Sequence, residues 1–237
     1  MIDSAMILAA GFGTRMRPIT DHTPKPLVPL NGKPLIDHAV DRLIAAGVKR
    51  VVVNTHYKAE MIEAHLKKRS DVAIELSHET TLLDTGGGVK KALPLLGESF
   101  YVLNADVFWL NAKVPALARL RRAWDETRLD ALLLAQRTVS AVGYDGLGDF
   151  TVDSLGHLRR RGEREVAPFL FAGIEIMKRA IFHDSPDGAF SLNLLWSKAI
   201  EAGRIEALIH DGEWFHVGTP QGLAATEERL RHHGVMR

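Results

Sequence analysis

Leu8-Ala9-Ala10-Gly11-Phe12-Gly13-Thr14-Arg15-Met16-Arg17-Pro18 carries an apolar run straight into a pair of glycines. The run itself, residues 5–10, reads as a buried first strand. Glycines at 11 and 13 let backbone N–H groups approach a phosphate chain with no Cβ in the way. Arg15 follows, and a second block, Thr23-Pro24-Lys25-Pro26-Leu27-Val28-Pro29, lies close behind. Arg15 suits phosphate as a planar fork, Lys25 as a point charge. Prolines on both sides of Lys25 restrict the backbone and favour an extended, stiff presentation of the lysine. Two other phosphate loops do not fit. A Walker A loop needs Gly-Lys followed by Ser or Thr, and none follows Gly13. A dinucleotide fingerprint needs a third glycine at position 16, which is Met16.

Outward from this loop, short apolar runs alternate with helix-like stretches. Strands are predicted over 51–53, 72–76, 100–103 and 129–135, and helices over 35–46, 59–68, 89–96 and 114–122. Such alternation is that of an α/β fold, a mostly parallel sheet with helices on both faces. After about residue 140 the pattern changes. Glycines at 143, 146 and 148 precede a short strand over 150–152 and a turn over 154–156. A buried strand over 168–177 and a helix over 191–202 follow, with Gly203 where a C-cap belongs. Two short strands, 205–209 and 214–217, lead to a closing helix from Pro220 to about His233. No low-complexity linker or internal repeat interrupts the chain. A single domain over 1–237 is therefore expected, with halves of about 1–140 and 141–237 that complete one cleft.

Composition narrows the chemistry. The 237 residues are 46% hydrophobic and 25% charged, and 30 Lys+Arg against 29 Asp+Glu leave a net charge of +1. That balance is globular, and near-neutrality lacks the electrostatic footprint of a general nucleic-acid binder. Cysteine is absent, which excludes a catalytic thiol, a disulfide framework and thiolate-held metal centres, and fits a reducing cytoplasm. The opening run lacks a basic stretch before it and gives way to glycine and charge too soon for a signal peptide. No apolar run approaches the ~20 residues that span a bilayer. A cytoplasmic protein with neither nucleic acid nor membrane as partner is expected.

Residues 6–29 resemble the N-terminal signature of the sugar-1-phosphate nucleotidyltransferases, or sugar-nucleotide pyrophosphorylases. Their pattern is Leu-Ala-x-Gly-x-Gly-Thr-Arg-x-x-Pro followed by a Pro-Lys-Pro lysine. The resemblance implies a Rossmann-like three-layer α/β/α fold with a mostly parallel mixed sheet. It puts a nucleoside triphosphate over Ala10, Gly11, Gly13 and Thr14, with Arg15 and Lys25 on phosphates. Thr85-Gly86-Gly87-Gly88 resembles the segment beside base and ribose, which implies nucleotide contacts for Thr85 and Gly87. The same stretch also reads as a glycine-rich helix start. Asn104-Ala105-Asp106 resembles the Asn-x-Asp motif, with Asn104 at the nucleotide and Asp106 on Mg²⁺. An aspartate ending the fourth strand of a doubly wound half also sits where such sheets bind ligands. Gly148-Asp149-Phe150 and Phe171-Ala172-Gly173-Ile174 resemble sugar-contacting segments, which implies sugar contacts for Gly148, Asp149, Phe171 and Gly173. Phe171 reads equally as core, since it lies in a continuous apolar run.

Trp214-Phe215-His216-Val217-Gly218-Thr219-Pro220 matches the family's closing motif except at His216, where many members carry a second metal-binding aspartate. Mg²⁺ prefers oxygen ligands, whereas a neutral imidazole better suits Mn²⁺ or another transition metal. Three roles are open to His216: a metal ligand, directly or through water; a partner for substrate phosphate; or the mark of a degenerate site. Asp211 offers a replacement charge, though its spacing does not match the motif.

The reaction implied is attack by a sugar-1-phosphate oxygen on the α-phosphorus of a nucleoside triphosphate, with pyrophosphate leaving. The attacker is already an anion, so alignment and charge neutralisation suffice. Arg15, Lys25 and Asp106 are the catalytic candidates, with Mg²⁺ as cofactor and Mn²⁺ as its alternative. The chain looks most like the short uridylyltransferases that act on N-acetylmuramic acid α-1-phosphate in bacterial wall recycling. Mannose-1-phosphate guanylyltransferases are the enzymatic alternative. A catalytically weak binder of nucleotide or sugar phosphate is the alternative from another class, resting on His216 alone.

Overall fold

In the computed structural model, which describes residues 2–232 and 234, β1 (Ser4–Leu8) lies at the centre of a nine-stranded sheet. It is buried from Ser4 to Ile7, as expected of a strand covered on both faces. After the glycine loop, β2 (Pro29–Leu30) and β3 (Lys33–Pro34) form a small hairpin. Then α1 (Leu35–Ala45), β4 (Arg50–Thr55), α2 (Ala59–Leu66) and β5 (Ala73–His78) follow in order. The chain continues through α3 (Asp84–Ala92), β6 (Ser99–Asn104), β7 (Val107–Leu110) and α4 (Ala116–Ala123). Next come β8 (Ala131–Arg137), β9 (Ala141–Val142), β10 (Phe150–Val152) and β11 (Leu158–Arg160). The last elements are β12 (Phe169–Lys178), α5 (Leu192–Glu201), β13 (Ile205–Ile209), β14 (Glu213–His216) and α6 (Pro220–His232).

Strands β5, β4, β1 and β6 lie side by side, all parallel. β12, from the second half of the sequence, runs antiparallel between β6 and β8, and β13 pairs parallel with β8. Both halves therefore share one mixed sheet. Helices α1, α2 and α4 pack Ile36, Val40, Leu43, Ile62, Leu66, Leu117 and Leu120 against one face. Helices α3 and α5 pack Val89, Ala92, Leu195, Trp196 and Ala199 against the other. These are the three layers predicted, each helix burying one apolar stripe. The chain leaves β1 towards β4 on one side and β6 on the other. That reversal opens a crevice at the carboxyl ends of β1 and β6.

Several elements differ from the sequence reading, among them the short strands β2, β3 and β9, which no predicted strand covers. β7, unpredicted, begins directly after Asp106 and pairs antiparallel with β14, which also pairs parallel with β9. β11, also unpredicted, completes a hairpin with β10. Helix α3 starts at Asp84 rather than near Val89, so Gly86, Gly87 and Gly88 lie inside it. Glycine inside a helix costs roughly 1 kcal/mol each. Close packing explains its presence. A Cβ on Gly86 would stand 2.3 Å from the Phe190 ring, and one on Gly87 would stand 2.2 Å from the Gly188 carbonyl oxygen. The predicted end of the last helix, near His233, lies outside the described residues.

Candidate active site

The crevice is a cavity of about 530 Å³. One wall is the glycine loop, contributed by Ala10, Gly11, Gly13, Thr14 and Arg15. Nothing lies within 4 Å of where a Gly11 Cβ would stand, so the loop backbone faces open space there. Gly13 takes φ +64, the left-handed region that favours glycine, and a Cβ on it would meet Thr20 Cγ2 at 3.0 Å and Lys25 Cβ at 3.1 Å. Thr20, fully buried, donates its hydroxyl to the Gly13 carbonyl at 2.9 Å and fixes the turn from behind. Arg15 is exposed at the lip.

Lys25 enters from the proline block. Pro24 is extended, as predicted, but Lys25–Leu27 form a tight 3-10 turn rather than an extended run. The turn directs the lysine across the cavity. Its Nζ lies 2.6 Å from Oδ2 of Asp106, at the turn after β6. The Asp106 backbone is held by Val217, whose N–H donates to the Asp106 carbonyl at 2.9 Å. His216, at the end of β14, brings Nε2 to 3.6 Å from the same Oδ2. Its ring stacks on Trp214 at 6.1 Å, and Gly218 makes room for it, since a Cβ there would stand 2.3 Å from Nε2. Burial opposes ionisation of Asp106. The Lys25 ammonium and the neighbouring His216 outweigh it and hold the carboxyl well below the usual carboxylate range.

Ala10, Gly11, Gly13, Thr14, Arg15, Lys25, Thr85, Asn104 and Asp106 all line this one cavity. His216 stands directly behind Asp106. The remaining predicted site residues are not on the cavity wall. Gly87 is buried against Gly188, and its N–H, like that of Gly86, donates to the Phe190 carbonyl. Its N–H is thus engaged within the protein, in the packing of helix α3 against the Gly188–Phe190 segment. Gly148 is buried too; its N–H donates to the Tyr144 hydroxyl at 3.0 Å, and a Cβ would stand 2.2 Å from the Ala167 carbonyl oxygen. Asp149 is exposed and accepts the Phe171 N–H at 2.8 Å. Phe171 is half-buried, edge-on to Trp196 at 4.7 Å. Gly173, at φ +73, faces Asn104 and Val107 where β12 is irregular. Asp211 is bound to Arg119 at 2.6 Å, so it does not replace the carboxylate absent at position 216.

Asn54, Glu79, Asp84 and Gly218 also line the cavity, and the sequence reading passed over the first three as site residues. Asn54 and Glu79 are single polar residues at or just past a strand end with no motif around them, and Asp84 directly precedes the Thr85–Gly88 segment. Among the described residues no three His, Cys, Asp or Glu side chains converge to cage a metal. Asp106 and His216 nonetheless offer one oxygen and one nitrogen donor 3.6 Å apart beside the glycine loop. Mg²⁺ is commonly held by one or two carboxylates with the rest from substrate phosphates and water; Asp106 alone fits that arrangement, and the imidazole of His216 suits Mn²⁺ better.

A family model described as "Nucleotidyl transferase" matches residues 4–144. The chain is 44% identical to the N-acetylmuramate alpha-1-phosphate uridylyltransferase of Caulobacter vibrioides over 95% of its own length and 96% of that protein. It is also 44% identical to the mannose-1-phosphate guanylyltransferase catalytic subunit beta of Drosophila pseudoobscura pseudoobscura. That match spans 44% of this chain and only 29% of the relative. Among solved structures, HddC of Yersinia pseudotuberculosis in complex with GMP-PN superposes with a TM-score of 0.76 at 22% identity, covering 97% of this chain and 100% of that one. A UDP-glucose pyrophosphorylase bound to UDP-glucose gives 0.79 at 18% identity, covering 98% and 100%. These two likenesses establish the fold, a three-layer α/β arrangement about a mixed sheet.

Proposed function

The chain belongs to the nucleotidyl transferase family, and we propose from that premise that it transfers uridylate from UTP to N-acetylmuramate α-1-phosphate, releasing pyrophosphate. Transfer of a nucleotide to a sugar-1-phosphate is the activity of the family branch to which the full-length likeness points. The choice of uracil and of the acidic amino sugar follows that same relative, since the guanylyltransferase matches are partial. We take residues 1–237 as one catalytic unit, because β12 of the second half is inserted between strands β6 and β8.

One observation carries the reading. Lys25 and Asp106 meet at 2.6 Å in a cavity that an open glycine loop also lines. Phosphoryl-type transfer asks a protein chiefly for alignment and neutralisation of charge. The loop backbone at Gly11 and Gly13 cradles the triphosphate, Arg15 at the lip neutralises its departing β,γ-phosphates, and Lys25 holds the α-phosphate and the incoming sugar phosphate. The attacking oxygen is already anionic, so no side chain removes a proton. Asp106, kept ionised by the Lys25 ammonium beside it, and His216 are the residues that would hold a divalent cation, Mg²⁺ or Mn²⁺. When bound, such a cation would add to the neutralisation of phosphate charge that Arg15 and Lys25 provide. Thr85 and Asn104 line the nucleotide side of the cavity. Asp149 and Phe171, linked by a hydrogen bond at the start of β12 and off the cavity wall, are assigned to the sugar by the resemblance alone.

An acceptor drawn from bacterial wall sugars and a triphosphate donor place the reaction in the cytoplasm and in recycling of wall material. No helix among the described residues is long and apolar enough to cross a membrane. A panel of nucleoside triphosphates crossed with sugar-1-phosphates, followed by pyrophosphate release, tests the pair. The proposal expects UTP with N-acetylmuramate α-1-phosphate to give the highest kcat/KM. Preference for GTP with mannose-1-phosphate would replace that pair, and binding without turnover for every pair and metal would leave a binding protein.

A further inference from the structure

Asn54 and Glu79 face the cavity but are 3% and 1% exposed, and neither touches the lysine, the aspartate or the arginine of the site. Asn54 lies near the end of β4. Its Oδ1 accepts the N–H of Ala9, the residue that leads into the glycine loop, at 2.7 Å. Its Nδ2 donates to Oε1 of Glu79 at 2.7 Å. The other Glu79 oxygen, Oε2, accepts the N–H of Leu83 at 3.0 Å, one residue before Asp84 and Thr85 of the facing wall. A continuous chain of three hydrogen bonds thus runs from one wall of the cavity to the other. The Glu79 backbone is held at both ends, by its N–H to Thr55 and by His56 Nδ1 on its carbonyl, each at 2.8 Å.

The polarity of the chain is fully determined. Two backbone N–H groups point inward, so the pair between them must accept at both ends and donate once in the middle. An amide next to a carboxylate does this; two amides or two ionised carboxylates do not. Glu79 has no cationic partner among the described residues, and both its oxygens are used by neutral donors. A buried carboxylate without a cation is costly unless its hydrogen bonds are satisfied. Helix α3 is shaped around the pair, because a Cβ on Gly88 would stand 2.8 Å from Oε1 of Glu79 and 2.9 Å from Nδ2 of Asn54.

We propose that Asn54 and Glu79 are positioning residues, a bracket that sets the separation of the glycine loop from the Asp84–Thr85 wall and so the width of the nucleotide slot. The inference rests on the nucleotide occupying this cavity, as argued above. It assigns neither residue to the reacting atoms. The bracket acts through Ala9 on the phosphate side and through Leu83 on the other.

The polarity argument provides its own test. Asn54→Asp sets two carboxylates against each other, and Glu79→Gln sets donor against donor at one end of the chain. The double variant N54D/E79Q restores all three bonds, with the middle one reversed. The carboxylate introduced at position 54 would accept from Ala9 and from the amide introduced at position 79, whose oxygen accepts from Leu83. Each single variant is expected to raise KM for the nucleotide by about tenfold or more, as small misplacements in a slot do. KM for the sugar phosphate should stay unchanged. The double variant should return to within about threefold of wild type, a coupling that independent sites do not show. Calorimetric titration with a non-hydrolysable UTP analogue reads the same affinities without turnover. It separates a failed bracket from a wrong acceptor. If Asn54→Asp does not fold, Glu79→Gln against the double variant makes the same comparison. A double variant no better than its worse single parent overturns the proposal. So does a KM change shared equally by both substrates.

Discussion

Asp106, just past the end of β6, and Glu175, midway along the neighbouring β12, are carboxylic acids on adjacent strands with opposite fates. Asp106 meets Lys25 at 2.6 Å and His216 at 3.6 Å, and its carboxyl is held below the usual range although burial works against it. Glu175 is fully buried between Val102 of β6 and Leu133 of β8. Its Oε2 accepts the Trp196 indole N–H at 2.9 Å, while Oε1 has no partner among the described residues. Burial pushes its carboxyl up to about 8, and the single hydrogen bond from Trp196 only partly offsets that. The contrast shows what turns an acid of this sheet into an anion. Position alone does not; a cation brought in by another segment, here the proline-flanked turn carrying Lys25, does.

Removing that cation is the severest way to break the contrast. Lys25→Ala takes away both the partner of Asp106 and the proposed phosphate ligand, and should lower kcat/KM by about a thousandfold or more, with a lower thermal melt but the fold retained at assay temperature. A rate near wild type would strike Lys25 from the site. Glu175→Gln probes the other side through the pH dependence of stability. The carboxyl titrates near 8 in the folded chain, against 4.5 as its ordinary value. Its contribution to stability is therefore complete below pH 4.5. It declines by roughly 1.4 kcal/mol per pH unit as the unfolded carboxyl ionises first, and is exhausted above pH 8. The glutamine keeps an acceptor for Trp196 and carries no charge. Urea midpoints at pH 5, 7 and 9 should fall more steeply for wild type than for Glu175→Gln, and parallel curves would contradict the assignment. The smallest effect is expected at His216. His216→Asp restores a second carboxylate and should reduce the Mg²⁺ needed for half-maximal rate several-fold relative to Mn²⁺. Identical metal dependence would remove His216 from the cation's surroundings.

How much was legible follows the same division. The strand and loop from Ser4 to Gly13, with Arg15, Lys25 and Asp106, were readable because each lies in a short motif whose chemistry is local. The cavity brings all of them together. Gly87 shows the opposite case. Glycines in a row suggest a ligand, yet the atoms that forbid a side chain there belong to a segment about a hundred residues on, around Gly188 and Phe190. β7 escaped notice because its partner β14 is equally remote. Gly148 spends its N–H on Tyr144 rather than on the cavity, a contact set by how a loop closes. Asn54 and Glu79 carry no pattern at all. Their role exists only once β4, the glycine loop and the wall before α3 have been assembled around them.

The central claim is that the charges gathered between the glycine loop and Asp106 serve uridylyl transfer to an acidic amino sugar. Phosphorus-31 NMR of the protein's reaction with UTP, N-acetylmuramate α-1-phosphate and Mg²⁺ or Mn²⁺, recorded after the cation is chelated, observes that transfer directly. The account predicts loss of the sugar-1-phosphate resonance and growth of a coupled diphosphate pair together with pyrophosphate. Unchanged spectra with either cation, from a protein that still binds UTP, would contradict it.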